Sequence, residues 1–492
     1  MYKGIIFSLG SNKALRNRSG GAHRIASELR QYDWDIEVAD FVHRWPLEPL
    51  VNFFRTRYDD NIKFIAFSQL FTGWSPVITE FCRLVKEKYP HIVIIVGSMV
   101  YEDTGCEYID YHVQGYGEIS IVKLLRYLFS NGSNPGIVKV DNNNVVLSQG
   151  ENKATPWKNP IIKYQERDFI QPWEWLSVEF SRGCIFQCAF CNFPELGVKG
   201  DYTRDADNFE LQMKDTYDRF GVDKYIVSDE TFNDRVAKIT KFADAVERLD
   251  FDPFFSAFIR ADLMVSRPQE REELLRMNLL GHFYGVETFN HKAGKSIGKG
   301  MNPEKLKQGL LDAKQYFKSH GTGKYRGTIS LIAGLPHESN ESLDASEQWL
   351  IDNWQDQSYL YFPLEIPKES VNQSSLLTLN FESYGYEKIG EKDEHYFAHL
   401  GLQTRSDLIA WKNEHTNYLE VKDRVDKFVK RVHDKQFMLG NFSLSSMGLS
   451  RDNDIDALLS LSNQSESFTN NTLPQEIEIV RDYVTKKINY RK

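Results

Sequence analysis

Two successive parallel sheets interleaved with helices are what this sequence predicts. The chain reads as α/β, with an N-terminal doubly wound parallel sheet, a central partial (β/α)6 barrel and a C-terminal mostly helical cap. Three observations predict this. Short apolar segments alternate with amphipathic stretches from Lys3 to about Phe129, as they do where helices cover both faces of a parallel sheet. The alternation restarts at Leu176 and runs through six strand–helix units. Beyond Ile366 the pattern turns helical and polar.

In the front region, residues 1–130, the strand candidates are Gly4–Ser8, Asp35–Ala39, Lys63–Ser68 and His91–Gly97. The helix candidates are Ala22–Arg30, Val77–Lys88 and Ile119–Phe129. Sheets of this kind bind ligands outside the carboxyl ends of their strands. That singles out the small-residue turns Gly10-Ser11-Asn12, Ser68-Gln69-Leu70, Gly97-Ser98 and Gly115-Tyr116-Gly117-Glu118. His23 is expected at the surface of a helix start or as a polar contact to substrate. Residues 131–175, with Asp141-Asn142-Asn143-Asn144 and prolines at 156, 160 and 172, read as a turn-rich connector holding a small hairpin.

Residues 176–366 form the second series. Its strands are Leu176–Phe180, Lys224–Ser228, Pro253–Ile259, His282–Glu287, Gly327–Ala333 and Ser358–Leu364. The intervening helices keep one apolar face, as in Val236, Ile239, Phe242, Val246 and Leu249, or Leu306, Leu310, Ala313 and Phe317. Active sites of such barrels lie at the carboxyl ends of the strands. In the tail, 367–492, helices are expected at Leu408–Lys412, Tyr418–His433, Ile455–Leu461 and Gln475–Lys487. A polar stretch, Ser462 to Asn471, is expected as a loop. Tyr396, Phe397, Trp411, Phe428 and Phe437 are expected to build a core against the open side of the barrel.

Three of the five cysteines, Cys184, Cys188 and Cys191, lie in a C-x3-C-x2-C run directly after the first barrel strand, with Phe190 before the last. Thiolates this close can converge on one metal centre, as in iron–sulfur sites. Zinc usually takes four protein ligands in structural sites, and no second Cys or Cys/His pair follows at a suitable distance. A four-iron cluster on three cysteines leaves one iron open, a feature suited to catalysis; a zinc knuckle or a fortuitous grouping is the plainer alternative. Cys82 and Cys106 stand apart and read as reduced thiols. Lysine and arginine number 60 against 69 acids, for a net charge of −9, so nucleic acid is not favoured as a partner. No apolar run approaches the roughly 20 residues of a membrane span, the N-terminus does not read as a signal peptide, and the setting expected is cytoplasmic and reducing.

With its cysteine spacing and Phe190, the chain resembles the radical S-adenosylmethionine (radical SAM) superfamily. Its front region resembles the cobalamin-binding-like domain that precedes the barrel in some members. The resemblance implies a 4Fe-4S cluster on Cys184, Cys188 and Cys191, with SAM on its open iron. It implies Asp229 and Glu230 near the methionine amine, Arg260 on the methionine carboxylate, and Glu287 on the ribose hydroxyls. Phe190, Gly334 and Pro336 would lie beside the adenine, and Lys295–Gly300 matches a further family loop. The plainer readings are a helix cap for Asp229 or Asp234 and a surface ion pair for Arg260. His337 stands where glycine is common, and its role is open.

Two readings of the front region stay open. In one it holds cobalamin, through Ser68, Gly97 and Gly115, without a protein histidine on cobalt. In the other it is an emptied scaffold that helps to cover the substrate. The base-displacing Asp-x-His-x-x-Gly run is absent after the first strand, and Gly97-Ser98 replaces a family Gly-Gly. The activity implied is reductive cleavage of SAM to start radical chemistry, with cobalamin-dependent methylation or rearrangement as the leading form. The substrate would be a small molecule, a peptide or a nucleotide, and the reductant a flavodoxin or ferredoxin. A cobalamin-free radical SAM oxidoreductase or isomerase is the alternative, followed by a non-catalytic iron–sulfur protein. A methylthiotransferase is disfavoured, because it needs a second cluster on three further cysteines.

Overall fold

A computed structural model describes residues 1–9, 18–69, 74–98, 104–147, 161–193, 202–321, 323–368, 375–402, 408–434 and 465–490. Seven strands make the front sheet: β1 (Lys3–Leu9), β2 (Asp35–Ala39), β3 (Ile62–Gln69), β4 (Val93–Ser98), β5 (Tyr111–Gln114), β6 (Ile137–Val140) and β7 (Asn143–Leu147). Their order is β2-β1-β3-β4-β5-β7-β6, parallel except for the β6–β7 hairpin. The hairpin expected in the connector is therefore an extension of the sheet. Helices α1 (Gly20–Arg30), α2 (Leu47–Arg57), α3 (Pro76–Lys88) and α4 (Gly117–Phe129) cover it. Leu50, Phe53, Phe54 and Phe81 bury one face, and Ala22, Ala26, Leu29, Leu124 and Leu125 the other. The sequence reading overlooked α2, whose Leu50, Phe53 and Phe54 share one helical face, because two prolines flank its first turn. Pro46 is in fact its N-cap, and Pro49 falls in the first turn, where an amide hydrogen has no intrahelical partner to lose.

The second sheet runs β8 (Trp175–Val178), β9 (Lys224–Val227), β10 (Phe254–Arg260), β11 (Leu279–Glu287), β12 (Arg326–Ala333) and β13 (Ser358–Pro363), each parallel to the next. It is an open barrel whose outer side is packed by α5 (Ala206–Phe220), α6 (Val236–Val246), α7 (Glu270–Arg276), α8 (Pro303–His320) and α9 (Asn340–Asn353). Polar caps set the helix starts: Asp205 accepts from the Asp207 and Asn208 amides, and Ser339 and Ser342 form a capping box.

The tail departs from the expected set of helices. Helix α10 (Tyr418–Asp434) forms, and its Phe428 ring meets Tyr359 and Tyr361 of β13. Leu408–Lys412 is not helical: Leu408 bridges Pro367, and Trp411-Lys412 pairs with Glu387-Lys388. So short a segment has little helical stability of its own, and the Trp411 indole, donating to the Leu364 carbonyl at 2.9 Å, holds it to the barrel instead. Ser465–Asn471, expected as loop, belongs to α11 (Ser465–Asn489). Ile455–Leu461, Phe437 and Gly10-Ser11-Asn12 lie outside the described residues.

Helix α11 returns to the front layer. Ile479, Val480, Tyr483 and Val484 join the core that contains Phe53 and Phe81. A buried ionic network ties it there. Lys487, with no exposed surface, donates to the Arg167 carbonyl at 2.6 Å and lies 3.2 Å from Glu37 and 3.8 Å from Asp168. Arg18 bridges Asp40 and Glu174 at 2.5 Å each, and Tyr483 donates to Asp40 at 3.4 Å. His23 is fully buried in this network, against Asp40 at 3.1 Å and Asp168 at 3.6 Å, so it is neither a surface residue nor a substrate contact. Removing one partner of such a network leaves a buried charge uncompensated, at about 3–5 kcal/mol. Lys487→Met should therefore lower stability by that order, read as a fall in the urea midpoint, while Arg481→Met on the same helix changes it little.

Candidate active site at the strand ends

The cysteine loop is aimed by a carboxylate. Asp229, just past β9, accepts from the Phe180 amide at 2.8 Å and the Ser181 hydroxyl at 2.6 Å, and so fixes the exit of the chain from β8. It is fully buried, and burial pushes it up to about 6 against the pull of Lys238. Both of its oxygens are committed to donors of the protein itself. Glu230 accepts from the Gly183 amide and from the Tyr116 hydroxyl, both at 3.2 Å. Burial, with Asp229 and Glu179 adding to it, lifts Glu230 to about 7. Neither Asp229 nor Asp234 caps a helix: Asp234 pairs with Lys238, and α6 starts behind Arg235 without a side-chain cap.

Backbone bonds hold the loop from both sides. The Ala189 amide donates to Ile297 at 3.1 Å, and the Leu377 amide donates to the Ala189 carbonyl at 2.8 Å. Cys184 Sγ lies 3.5 Å from the Thr231 hydroxyl. Arg260, at the end of β10, donates to Cys188 Sγ at 3.3 Å and to the Gly298 carbonyl at 3.0 Å, and its guanidinium lies 3.8 Å over the Phe186 ring. It also pairs with Asp262 at 2.9 Å, but at 9% exposure this is not the surface ion pair considered above.

Glu287 ends β11 beyond a register shift between Gly285 and Glu287. Its φ of 67° puts a non-glycine residue in the left-handed region, a strain seen most often at functional sites. Lys299 secures the arrangement, donating to Glu287 Oε1 at 2.9 Å and to the Gly285 carbonyl at 2.6 Å. A Cβ on Gly285 would stand 2.9 Å from both Glu287 Oε1 and Lys299 Nζ. The Lys299 ammonium also lies 5.8 Å from the Phe190 ring. Lys299, whose basic glycine-containing loop is a weak signal by itself, thus joins the cysteine loop to β11.

The turn after β12 is built on Glu338, which accepts from the Gly334 amide at 2.9 Å, the Leu335 amide at 3.0 Å and the Thr288 hydroxyl. Gly334 has φ 89°, and a Cβ there would meet Trp411 at 2.6 Å. Pro336 is buried, while His337, also left-handed at φ 66°, is exposed.

Ser68, Gly97 and Gly115 lie at the carboxyl ends of β3, β4 and β5. The Gly115 amide donates to the Ser98 carbonyl at 2.9 Å, and the space at Gly97 is open to 3.9 Å. A seam joins this end of the front sheet to the mouth of the barrel. Gly20, opening α1, passes so near β8 that a Cβ on it would lie 2.8 Å from that of Ser177, while one on Gly21 would lie 3.7 Å from the Ser68 hydroxyl. Glu118 pairs with Arg182 at 2.5 Å, and Arg182 stacks 4.4 Å over Tyr116. Against the cost of burial, Arg182 and Arg24 hold Glu118 down at about 2. Tyr116, Arg182 and Thr231 are site residues that the sequence did not single out; only the Gly115–Glu118 turn marked Tyr116.

Cys184, Cys188 and Cys191 are the residues that would hold a cluster. All three thiols are free. Burial pushes Cys191 up to about 11, and Cys188, Cys184 and Glu287 act in the same direction, so the thiols share one electrostatic environment that a cationic centre would relieve. Among the described residues no three His, Cys, Asp or Glu side chains are grouped to hold one metal ion.

Residues 178–350 match the model of the radical SAM superfamily. The barrel is therefore a radical SAM domain, from a family that uses a 4Fe-4S cluster and SAM. Among sequence relatives, a protein of Methanocaldococcus jannaschii provisionally named a methylthiotransferase is 24% identical over 277 residues, covering 53% of this chain and 56% of its own. The hopanoid C-3 methylase of Methylococcus capsulatus is 26% identical over 191 residues, 36% of each chain. The chain thus spans only a fraction of the length of these relatives. The structure of the radical SAM methyltransferase TsrM from Kitasatospora setae, with cobalamin and a [4Fe-4S] cluster bound, superposes with a TM-score of 0.62 over 98% of this chain and 99% of that one. At 12% identity the likeness is one of fold. Among the described residues no helix is long and apolar enough to cross a membrane.

Glu338 gives a test by pH. Burial lifts its carboxyl to about 7, above the ordinary value near 4.5. Between these values the unfolded chain binds fewer protons than the folded one, so this group's contribution to stability falls as pH rises through that window. At 1.36 kcal/mol per pH unit the fall is at most about 3 kcal/mol. Glu338→Gln should flatten the pH dependence of the urea midpoint between pH 5 and 7.5.

Proposed function

We propose that this chain is an enzyme that reductively cleaves SAM at a 4Fe-4S cluster held by Cys184, Cys188 and Cys191, and couples the cleavage to cobalamin-dependent methylation or rearrangement of a carbon centre. When bound, the cluster supplies the electron that breaks SAM, and cobalamin supplies a methyl carrier. The observation that carries the reading is the seam: Gly20–Ser177, Tyr116–Glu230 and Glu118–Arg182 turn the carboxyl ends of both sheets toward one space. A ligand on the front sheet and one on the barrel would face the same substrate.

In this reading the residues bind, orient and exclude water. Glu230 receives the methionine amine, Arg260 reaches the methionine carboxylate while donating to Cys188, and Glu287 takes the ribose hydroxyls with Lys299 holding its carboxylate in place. Phe190, Gly334 and Pro336 border the adenine. Ser68, Gly97 and Gly115 make the floor for cobalamin, and Asp229 is a positioning residue. We assign residues 1–130, the β6–β7 hairpin and α11 to the cobalamin layer, the rest of 131–175 to the connector, 176–366 to the radical SAM barrel and 367–434 to its cover. The enzyme would work in the reducing cytoplasm with a flavodoxin- or ferredoxin-type reductant, on a small molecule, peptide or nucleotide. The hopanoid methylase and TsrM, both methyl-transferring proteins by name, favour methylation over the cobalamin-free alternative.

The test is anaerobic reconstitution with iron, sulfide and hydroxocobalamin, followed by gel filtration and metal analysis. Stoichiometric cobalt, and 5′-deoxyadenosine or S-adenosylhomocysteine formed from SAM with dithionite and lost in Cys188→Ala, are expected. Product from SAM without retained cobalt would select the cobalamin-free alternative, and bound zinc in place of iron would sink both. Glu287→Ala should weaken SAM binding by about 10- to 100-fold, the loss of one charge-assisted contact pair.

A further inference from the structure

Strand alternation divides each barrel strand between an outer, helix-packed face and an inner one. On β10, Phe255, Ala257 and Ile259 are buried in the outer core; on β11, His282 packs against Phe317 and Tyr325; on β13, Tyr359 and Tyr361 meet Phe428. The inner face therefore carries Phe258 two residues before Arg260, Phe283 below Glu287, and Leu360 and Phe362 on the last strand. Phe258 and Phe283 are register partners with ring centroids 4.8 Å apart, and Phe362 is the register partner of Ile332. Phe258 is 47% and Phe362 49% exposed although both sit within the barrel. A full barrel fills this space with its own side chains, whereas here aromatic surface is left facing it.

Between the Arg260–Glu287 level and its foot the inner face carries no charged side chain among the described residues. Ile226, Ser256, Thr328, Ser330 and Ser358 lie on it among apolar residues, and the two cations at its foot are engaged elsewhere: Lys224 donates to Asp223 at 2.7 Å, and the Arg326 guanidinium donates to the Gly323 and Tyr325 carbonyls. A charged group entering this space would lose its water without gaining a partner. One side is closed by the front layer, where Gly20 abuts Ser177. The apolar wall is thus continuous with the site, on the same strands that carry Arg260 and Glu287.

We infer that the barrel lumen receives an uncharged, apolar portion of the substrate, a hydrocarbon or aromatic body, against Phe258, Phe283, Leu360 and Phe362. The inference rests on the proposed reading and narrows its substrate class. Phe258 is the decisive residue, because Ile332 and Phe362 lie nearer the Gly334 turn, which the proposed reading gives to SAM.

The test uses the reconstituted holoenzyme with SAM and three probes sharing one ring system: 2-naphthol, 2-naphthoate and 2-naphthylmethylammonium. Calorimetry should detect 2-naphthol alone, with a negative heat-capacity change. Phe258→Asp should weaken its binding at least about tenfold and Phe258→Leu by no more than about threefold, changes of roughly 1.4 and 0.65 kcal/mol. If Phe258→Asp melts early, Phe283→Ser replaces it with the same expectation. Equal binding of the charged probes, or 2-naphthol binding unaffected by Phe258→Asp, overturns the inference. The underlying reading fails separately, by absence of both 5′-deoxyadenosine and S-adenosylhomocysteine from the wild-type enzyme with SAM and dithionite, whatever the naphthol result.

Discussion

One buried carboxylate underlies the arrangement of the site. Asp229 accepts from Phe180 and Ser181 as the chain leaves β8, and together with the Arg204 amide on the Phe180 carbonyl at 2.8 Å and Glu230 on the Gly183 amide it sets where the cysteine run begins. Burying an acid costs free energy unless its oxygens are satisfied. Here the cost is offset by two donors and by Lys238, which also pairs with Asp234 and donates to Ser181 at 3.0 Å. The loop is then clamped by Ile297 on one flank and Leu377 on the other. Three thiols can be presented by so short a run because the direction of its first residues is set from outside the run.

The same economy joins the two halves. Glu118 belongs to the first turn of α4, where the helix dipole favours an acid, and there it meets Arg182, which sits two residues before the first cysteine. Tyr116 reaches Glu230 from the same turn. Residues that open a helix of the front layer thus define the rim of the barrel, so the orientation of one sheet on the other and the shape of the shared space are a single property. At the far edge of the front layer, α11 and the Arg18–Asp40–Glu174 network do for the connector what this seam does for the mouth.

Strain gathers in the strand ends. Glu287 at φ 67° and Gly334 at φ 89° lie where β11 and β12 give way to turns, and each is held by a charged side chain: Lys299 for Glu287, Glu338 for the Gly334 turn. Backbone conformations of this kind persist only where the surroundings over-determine them, and Trp411, packed on Gly334 and hydrogen-bonded to Leu364, belongs to that surrounding. The short strand that replaces the helix expected at Leu408–Lys412 follows from this docking.

Periodicity and spacing were enough to read both parallel sheets, the principal barrel helices and the cysteine run, because those signals are local: alternation of apolar residues, and thiols a few positions apart. Arg260, Glu287, Gly334 and Pro336 were legible as strand-end residues for the same reason. Tertiary structure alone decided that Asp229 is a fully buried brace while Glu230, next to it, bridges the loop to Tyr116 and stays partly exposed, since the sequence does not mark what lies opposite either acid. It also decided that His23 belongs to a buried network rather than to a ligand, that α11 returns across more than 300 residues to Asp168 and Asp40, and that Phe258 and Phe362 face the lumen. Each of these depends on partners far away in the chain, and a sequence carries no local mark of a partner that only folding brings near.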